Sequence, residues 1–249
     1  MIKLGSLDLG GSPKIAVGFR DKVLPETIKE GVNHGLDIAE IRIDQFSSYA
    51  ADYVLGELDK FKLVPTIATI RSEQEGGTRR LSDSQRLALF KLVSHHVDAI
   101  DIELSSETIL DEVVKIVHEV KKMVVISYHN FDETPPIENL MSIFSTAKSA
   151  GADIVKIATQ VTTRHDIQTL ARFTIDNAEK NIIVIGMGAE GLSSRFFLPA
   201  LGSLITFAYI GQPSAPGQLH FNDTLDLLRK FYPSYNQEKI SSLKLVENF

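Results

Sequence analysis

A single lysine in the run Asp153-Ile154-Val155-Lys156-Ile157-Ala158-Thr159 is the first residue of this chain that invites covalent chemistry. The run has the β-branched composition of a short buried strand, bounded by Gly151 and by polar residues after Thr159. On a strand, Ile154, Lys156 and Ala158 share one face and Val155 and Ile157 the other, so the ammonium is directed into apolar surroundings. Burial disfavours the charged form of lysine, and a neutral amine can attack a carbonyl carbon. The competing reading is structural: a strand-end lysine that snorkels to water or closes an ion pair.

Other charges sit where an apolar strand should have none. Ala39, Ile41 and Ile43 alternate with Glu40, Arg42 and Asp44, and Ile100, Ile102 and Leu104 alternate with Asp101 and Glu103. Arg71 and His129 each follow a strand-like run. Strands of a parallel sheet covered on both faces should be apolar throughout, so inward charges from several separate strands favour a site over isolated structural pairs. Glu40, Glu75, Asp101 and Glu103 face a comparable set of cations, Arg42, Arg71, Lys156 and Arg195. A metal site would show carboxylates or histidines without so many cations beside them. A near-neutral network suits a polyhydroxylated anion instead, with Asp101 and Glu103 read as scaffold that fixes nearby cations. His95-His96 are declined as metal ligands, because adjacent residues on a helix point about 100° apart.

The elements that must carry these residues alternate regularly. Strands are predicted over 13–19, 38–43, 63–70, 99–104, 124–128, 153–159, 182–187 and 204–209. Helices are predicted over 25–35, 48–61, 82–96, 107–121, 136–150, 164–179, 194–201 and 219–231, the third opening on a Ser82-Asp83-Ser84-Gln85 capping box. Eight strand–helix units without a linker predict a parallel α/β fold, the (β/α)8 or TIM barrel, whose sites lie at the C-terminal ends of the strands. A short β-hairpin over 2–11 precedes the barrel, and a tail over 232–249 follows a core of about 13–231. We read the 249 residues as one domain.

Composition sets outer bounds. The chain is 43% hydrophobic and 23% charged, with no cysteine and a formal charge of −6. That argues against a disulfide framework, a thiolate metal site or a cysteine nucleophile, and against nucleic acid or an anionic membrane surface as partner. No run approaches the roughly 18 apolar residues that span a bilayer, and the first residues lack the apolar core of a signal peptide. The expectation is a cytoplasmic protein acting on a small molecule.

Six segments resemble type I 3-dehydroquinate dehydratase, in that family's order and spacing. They are Glu40-Ile41-Arg42-Ile43-Asp44, Arg71-Ser72-Glu73-Gln74-Glu75-Gly76-Gly77, Ser127-Tyr128-His129-Asn130-Phe131, Val155-Lys156-Ile157-Ala158, Gly186-Met187-Gly188 through Ser194-Arg195, and Ser214-Ala215-Pro216-Gly217-Gln218. The resemblance implies conversion of 3-dehydroquinate to 3-dehydroshikimate and water, a step of the shikimate pathway, through a Schiff base on Lys156. It implies His129 as general base and acid and Glu75 as the carboxylate that holds it. Arg195 matches the residue that binds the substrate carboxylate, and Glu40, Arg42 and Arg71 those that meet the ring hydroxyls. Ser214 and Gln218 match polar residues of a closing loop, and Met187 and Phe207 apolar wall positions. The resemblance implies no metal or organic cofactor, and a homodimer. Gly18 departs from the family's pattern, which has a serine there. Two other readings use the same residues: a Schiff-base aldolase on a phosphorylated sugar, and a catalytically silent binding barrel.

Overall fold

The computed structural model describes residues 2–213 and 217–246. Two short strands, β1 (Ile2–Leu4) and β2 (Leu7–Leu9), pair antiparallel. The chain then alternates β3 (Lys14–Phe19), α1 (Pro25–His34), β4 (Ile38–Arg42), α2 (Ala51–Leu58), β5 (Thr66–Thr69), α3 (Asp83–Val93), β6 (Ala99–Glu103) and α4 (Leu110–Glu119). It continues with β7 (Met123–Asn130), α5 (Ile137–Ser149), β8 (Ile154–Gln160), α6 (Arg164–Asp176), β9 (Ile182–Met187), α7 (Ser194–Phe197), β10 (Ile205–Tyr209), β11 (Leu219–His220), α8 (Phe221–Phe231) and α9 (Pro233–Val246).

Strands β3 to β11 form one sheet of parallel pairs, in the order β11-β10-β3-β4-β5-β6-β7-β8-β9. The sheet curls until β9 and the start of β10 meet, where Ile182 and Ser203 form an isolated parallel bridge and the Leu204 amide donates to Ile182. With helices on its outer face this is an α/β barrel. Local sequence explains the punctuation. The Ser82–Gln85 box opens α3 and a Thr163–Asp166 box opens α6, each satisfying helix amides that have no intrahelical partner.

Strand alternation divides the core into two layers. Val155 and Ile157 point outward into the shell between sheet and helices, with Ala39, Ile41, Ile100 and Ile102. Ile154 and Ala158 point inward with Ile67, Ala99, Val125 and Phe207. Each large apolar side chain buried in the outer shell contributes roughly 1.5–3 kcal/mol, which leaves the inward face free to carry charges. Leu4 and Leu9 of the β1–β2 pair join the inner layer and are fully buried.

The sequence predicts a last helix over 219–231, and the structure corrects its start. Leu219–His220 instead pair with Ala208 and Tyr209 as a ninth strand, and α8 begins at Phe221 with His220 as its cap. Parallel pairing with β10 takes these two residues out of the helix. Residues 233–246 form α9, and its Tyr235 is fully buried against the barrel.

Candidate active site

The polar residues that gather here arrive from the inward faces of four separate strands and from the loop after a fifth. Glu40 and Arg42 come from β4, Asp101 and Glu103 from β6, Ser127 and His129 from β7, and Lys156 from β8. Arg71 follows β5, and the loop after it turns back on itself to deliver Glu75. The Gly77 amide bonds the Ser72 carbonyl at 2.8 Å, and a Cβ on Gly77 would lie 2.2 Å from the Arg71 carbonyl oxygen, so only glycine closes this loop.

Ten of the eleven residues named from the sequence line one pocket: Glu40, Arg42, Arg71, Glu75, His129, Lys156, Met187, Arg195, Phe207 and Gln218. Ser214 lies outside the described residues. Gly76, Phe131, Ala158 and Ile185 line the pocket as well. Of these, Ala158 carries a signal in the sequence, since it shares the inward face with Lys156.

The surroundings expected for the lysine are corrected. Lys156 is 4% exposed, but its ammonium is not in apolar surroundings alone. Its Nζ lies 3.0 Å from Asp101 Oδ2 and 3.6 Å from Glu40 Oε1, and 4.4 Å from the centre of the Phe207 ring. A buried cation without such partners would cost several kcal/mol, so the strand's inward register forces the carboxylates to be there. Glu40 is in turn fixed by the Thr69 hydroxyl, which donates to Oε1 at 3.0 Å.

Asp101 joins this lysine to a second charge layer. Its Oδ1 lies 2.9 Å from Arg71 and accepts the Ser127 hydroxyl at 2.7 Å. Burial opposes its ionisation, but Arg71 and Lys156 together hold Asp101 well below the ordinary carboxylate range. Arg71 also donates to Glu103 at 2.8 Å, and the pair of carboxylates raises its pKa against the effect of burial. Glu103 further accepts from Arg86, a buried arginine on α3 that is absent from the residues named on sequence grounds. A signal for it exists: Arg86 shares the buried stripe of α3 with Leu89, Phe90 and Val93, where an unpaired cation has no place.

His129 and Glu75 form the third group. Glu75 Oε2 accepts from both the His129 backbone amide and the ring Nδ1, each at 2.9 Å, while Oε1 accepts the Ser105 hydroxyl at 2.5 Å. Burial pushes Glu75 up to about 7. Burial, reinforced by the charges of Arg71 and Lys156, holds His129 well below the usual imidazole range. The result is a neutral ring whose Nδ1–H is donated to Glu75, leaving Nε2 with a lone pair. Such a pair can remove a proton near neutral pH and return it.

Arg195 stands at the far side, on α7. Its Nε donates to the Gly217 carbonyl at 2.9 Å and its NH1 to the Phe207 carbonyl at 3.3 Å. Burial pushes it down to about 10, which still leaves a cation at neutral pH and a site for an anion. The Gly217 segment rests directly on Gly188: a Cβ there would meet the Gly188 carbonyl oxygen at 2.3 Å. Arg42 is more committed than expected, since its Nε and NH2 both donate to Asp44 at 2.9 Å.

The pocket therefore combines a buried amine, an imidazole–carboxylate pair and a buried arginine. A family model for type I 3-dehydroquinase matches residues 18–234. This chain belongs to the type I 3-dehydroquinase family. It is thus an enzyme, a hydro-lyase. The 3-dehydroquinate dehydratase of Thermodesulfovibrio yellowstonii is 36% identical over 219 residues, covering 87% of this chain and 95% of the relative. Among solved structures, the 3-dehydroquinate dehydratase of Aquifex aeolicus superposes with a TM-score of 0.80 at 36% identity, over 88% of this chain and 99% of that one. The type I enzyme of Clostridium difficile, solved with covalently modified comenic acid, gives 0.84 at 29% identity, over 94% and 98% of the two chains.

Proposed function

We propose that this type I 3-dehydroquinase converts 3-dehydroquinate to 3-dehydroshikimate and water through a Schiff base on Lys156, as a step of the shikimate pathway. The observation that carries this reading is the meeting of Lys156, the His129–Glu75 pair and Arg195 in one pocket of a chain of this family. Arg195 binds the substrate carboxylate, and Glu40, Arg42 and Arg71 meet the ring hydroxyls.

The steps follow from what each group can do. The Lys156 ammonium passes a proton to His129, the free amine adds to the C3 ketone, and His129 returns the proton to the resulting C3 hydroxyl, which leaves as water to give an iminium ion. The iminium withdraws electrons far better than a ketone, so the adjacent C2–H becomes acidic enough for a neutral imidazole. His129 Nε2 takes that proton and the electron pair moves into the imine, giving an enamine. The enamine electrons return to form the C1–C2 double bond as the C1–O bond breaks, and His129 gives its proton to the departing hydroxyl. Water then hydrolyses the iminium and frees Lys156. Glu75 stabilises the imidazolium between the two proton transfers. Met187 and Phe207 wall the ring, and Gln218 with Ser214 closes over it, excluding water from the imine.

On this reading one barrel domain over about 13–231 carries the whole site and works without a cofactor. The homodimer and the cytoplasmic setting belong to the same proposal and rest on the family resemblance. The test is turnover by the purified chain. We expect 3-dehydroshikimate to accumulate from 3-dehydroquinate, Arg195→Ala to abolish it, and phosphorylated sugars to be left untouched. A purified, folded chain that leaves 3-dehydroquinate unchanged contradicts the proposal.

A further inference from the structure

The functional reading uses Glu75 but leaves one of its oxygens unexplained. Oε2 serves His129, while Oε1 is held from the other side by Ser105, just beyond the end of β6. We propose that Ser105 is a positioning residue for the acid–base pair: its hydroxyl keeps Glu75 an acceptor toward His129, so that Nε2 of the imidazole stays free to take the substrate's proton. This rests on the functional reading above, because it assigns the proton transfers to His129.

The geometry supports a role in orientation. Ser105 does not line the pocket that holds Lys156. It lines a separate polar cavity behind it, with Ser72, Ser106, Asp83 and Arg86, and reaches Glu75 from that side. The carboxylate is thus pinned from opposite directions, by Ser105 at 2.5 Å on one oxygen and by His129 at 2.9 Å on the other. A serine hydroxyl has one proton, and here it is spent on Oε1. If Glu75 carried a proton on Oε2, it would donate to Nδ1 and force the ring's own proton onto Nε2. The tautomer would then face the substrate with a donor in place of a base.

Electrostatics makes that inversion a real competitor. The ionisable groups around Glu75 are Arg71 beyond β5, Glu103 on β6 and His129 on β7. Arg71 favours the carboxylate and Glu103 opposes it, while burial already lifts Glu75 to about 7. The Ser105 hydrogen bond is the largest influence in the other direction. Its removal raises Glu75 further and favours the protonated carboxyl.

The experiment compares Ser105→Ala and Ser105→Thr with the parent across pH 5–10. In the parent, kcat/KM should fall as pH drops through about 7, where Glu75 takes up its proton. In Ser105→Ala that acid limb should move up by about one pH unit, so that kcat/KM at pH 6 drops about tenfold and recovers at alkaline pH. KM should hardly change, and Ser105→Thr should restore the parent profile. A profile that superposes on the parent, or a loss that is uniform across pH, overturns the assignment. Nitrogen NMR of the His129 ring separates this from failure of the functional reading. Even if the parent does not turn over 3-dehydroquinate, a larger share of its rings should carry the proton on Nδ1 at pH 7 than in Ser105→Ala, where the Nε2–H form should dominate. Identical tautomers in the two proteins overturn the role of Ser105 whatever the substrate.

Discussion

The barrel buries two lysines, one at each end, and they have opposite fates. Lys156 lies on the inward face of β8 and lines the open pocket, and Lys14 lies on the inward face of β3 at its N-terminal end. Both are nearly inaccessible, at 4% and 2%. Both are paired with carboxylates: Lys156 with Asp101 and Glu40, Lys14 with Glu238 of α9 at 2.5 Å. Ser12 completes the cradle of Lys14, accepting its proton at 2.9 Å. What differs is the space at the tip. Lys156 faces an open pocket with an imidazole–carboxylate pair and an arginine across it. At the other end α9 is strapped over the barrel, with Tyr235 fully buried and Lys239 paired to Asp37. Burial of an amine is thus not sufficient for chemistry; an acid–base partner and an open volume must stand beside it.

Substitutions should separate the two ends. At the open end, His129→Asn keeps a donor for Glu75 but removes the base, and kcat should fall about 10²- to 10⁴-fold. Its denaturation midpoint should stay close to that of the parent, because the site is built for reactivity more than for stability. A mutant with lost stability and retained kcat would reverse the comparison.

At the closed end the expected effect is smaller and of the other kind. Glu238→Gln leaves Lys14 buried with Ser12 and a neutral amide, at a cost of about 1–2 kcal/mol, the low end because Glu238 is half open to water. Urea denaturation measures this, and kcat should be unchanged. Contact with Lys14 and Ser12 holds Glu238 below the ordinary carboxylate range, although burial opposes it. The stability it contributes is therefore present above that range and lost as pH falls through its folded value. The parent and Glu238→Gln should converge in stability at acid pH.

The same contrast explains what the sequence makes legible. Alternation in the strands is a local signal, so the barrel order and the inward set Glu40, Arg42, Asp101, Glu103 and Lys156 can be read from the residues alone. The paired surroundings of Lys156 cannot, because they depend on β6 lying two strands from β8 around the curled sheet. Lys14 is silent in the sequence, since nothing local marks a carboxylate 224 residues away as its partner. Ser105 and Arg86 escape for related reasons: a turn serine carries no periodicity, and one arginine in an apolar helix stripe is easily taken for a surface residue. The short strand Leu219–His220 is hidden by the helix that follows at once.

The central claim is that Lys156, and not merely a buried lysine, forms the covalent bond. Borohydride reduction in the presence of 3-dehydroquinate, followed by intact mass and peptide mapping, tests it directly. The account predicts one adduct, on Lys156, absent from Lys156→Ala, with Lys14 unmodified in both. Formation of 3-dehydroshikimate with no adduct on Lys156 would contradict it.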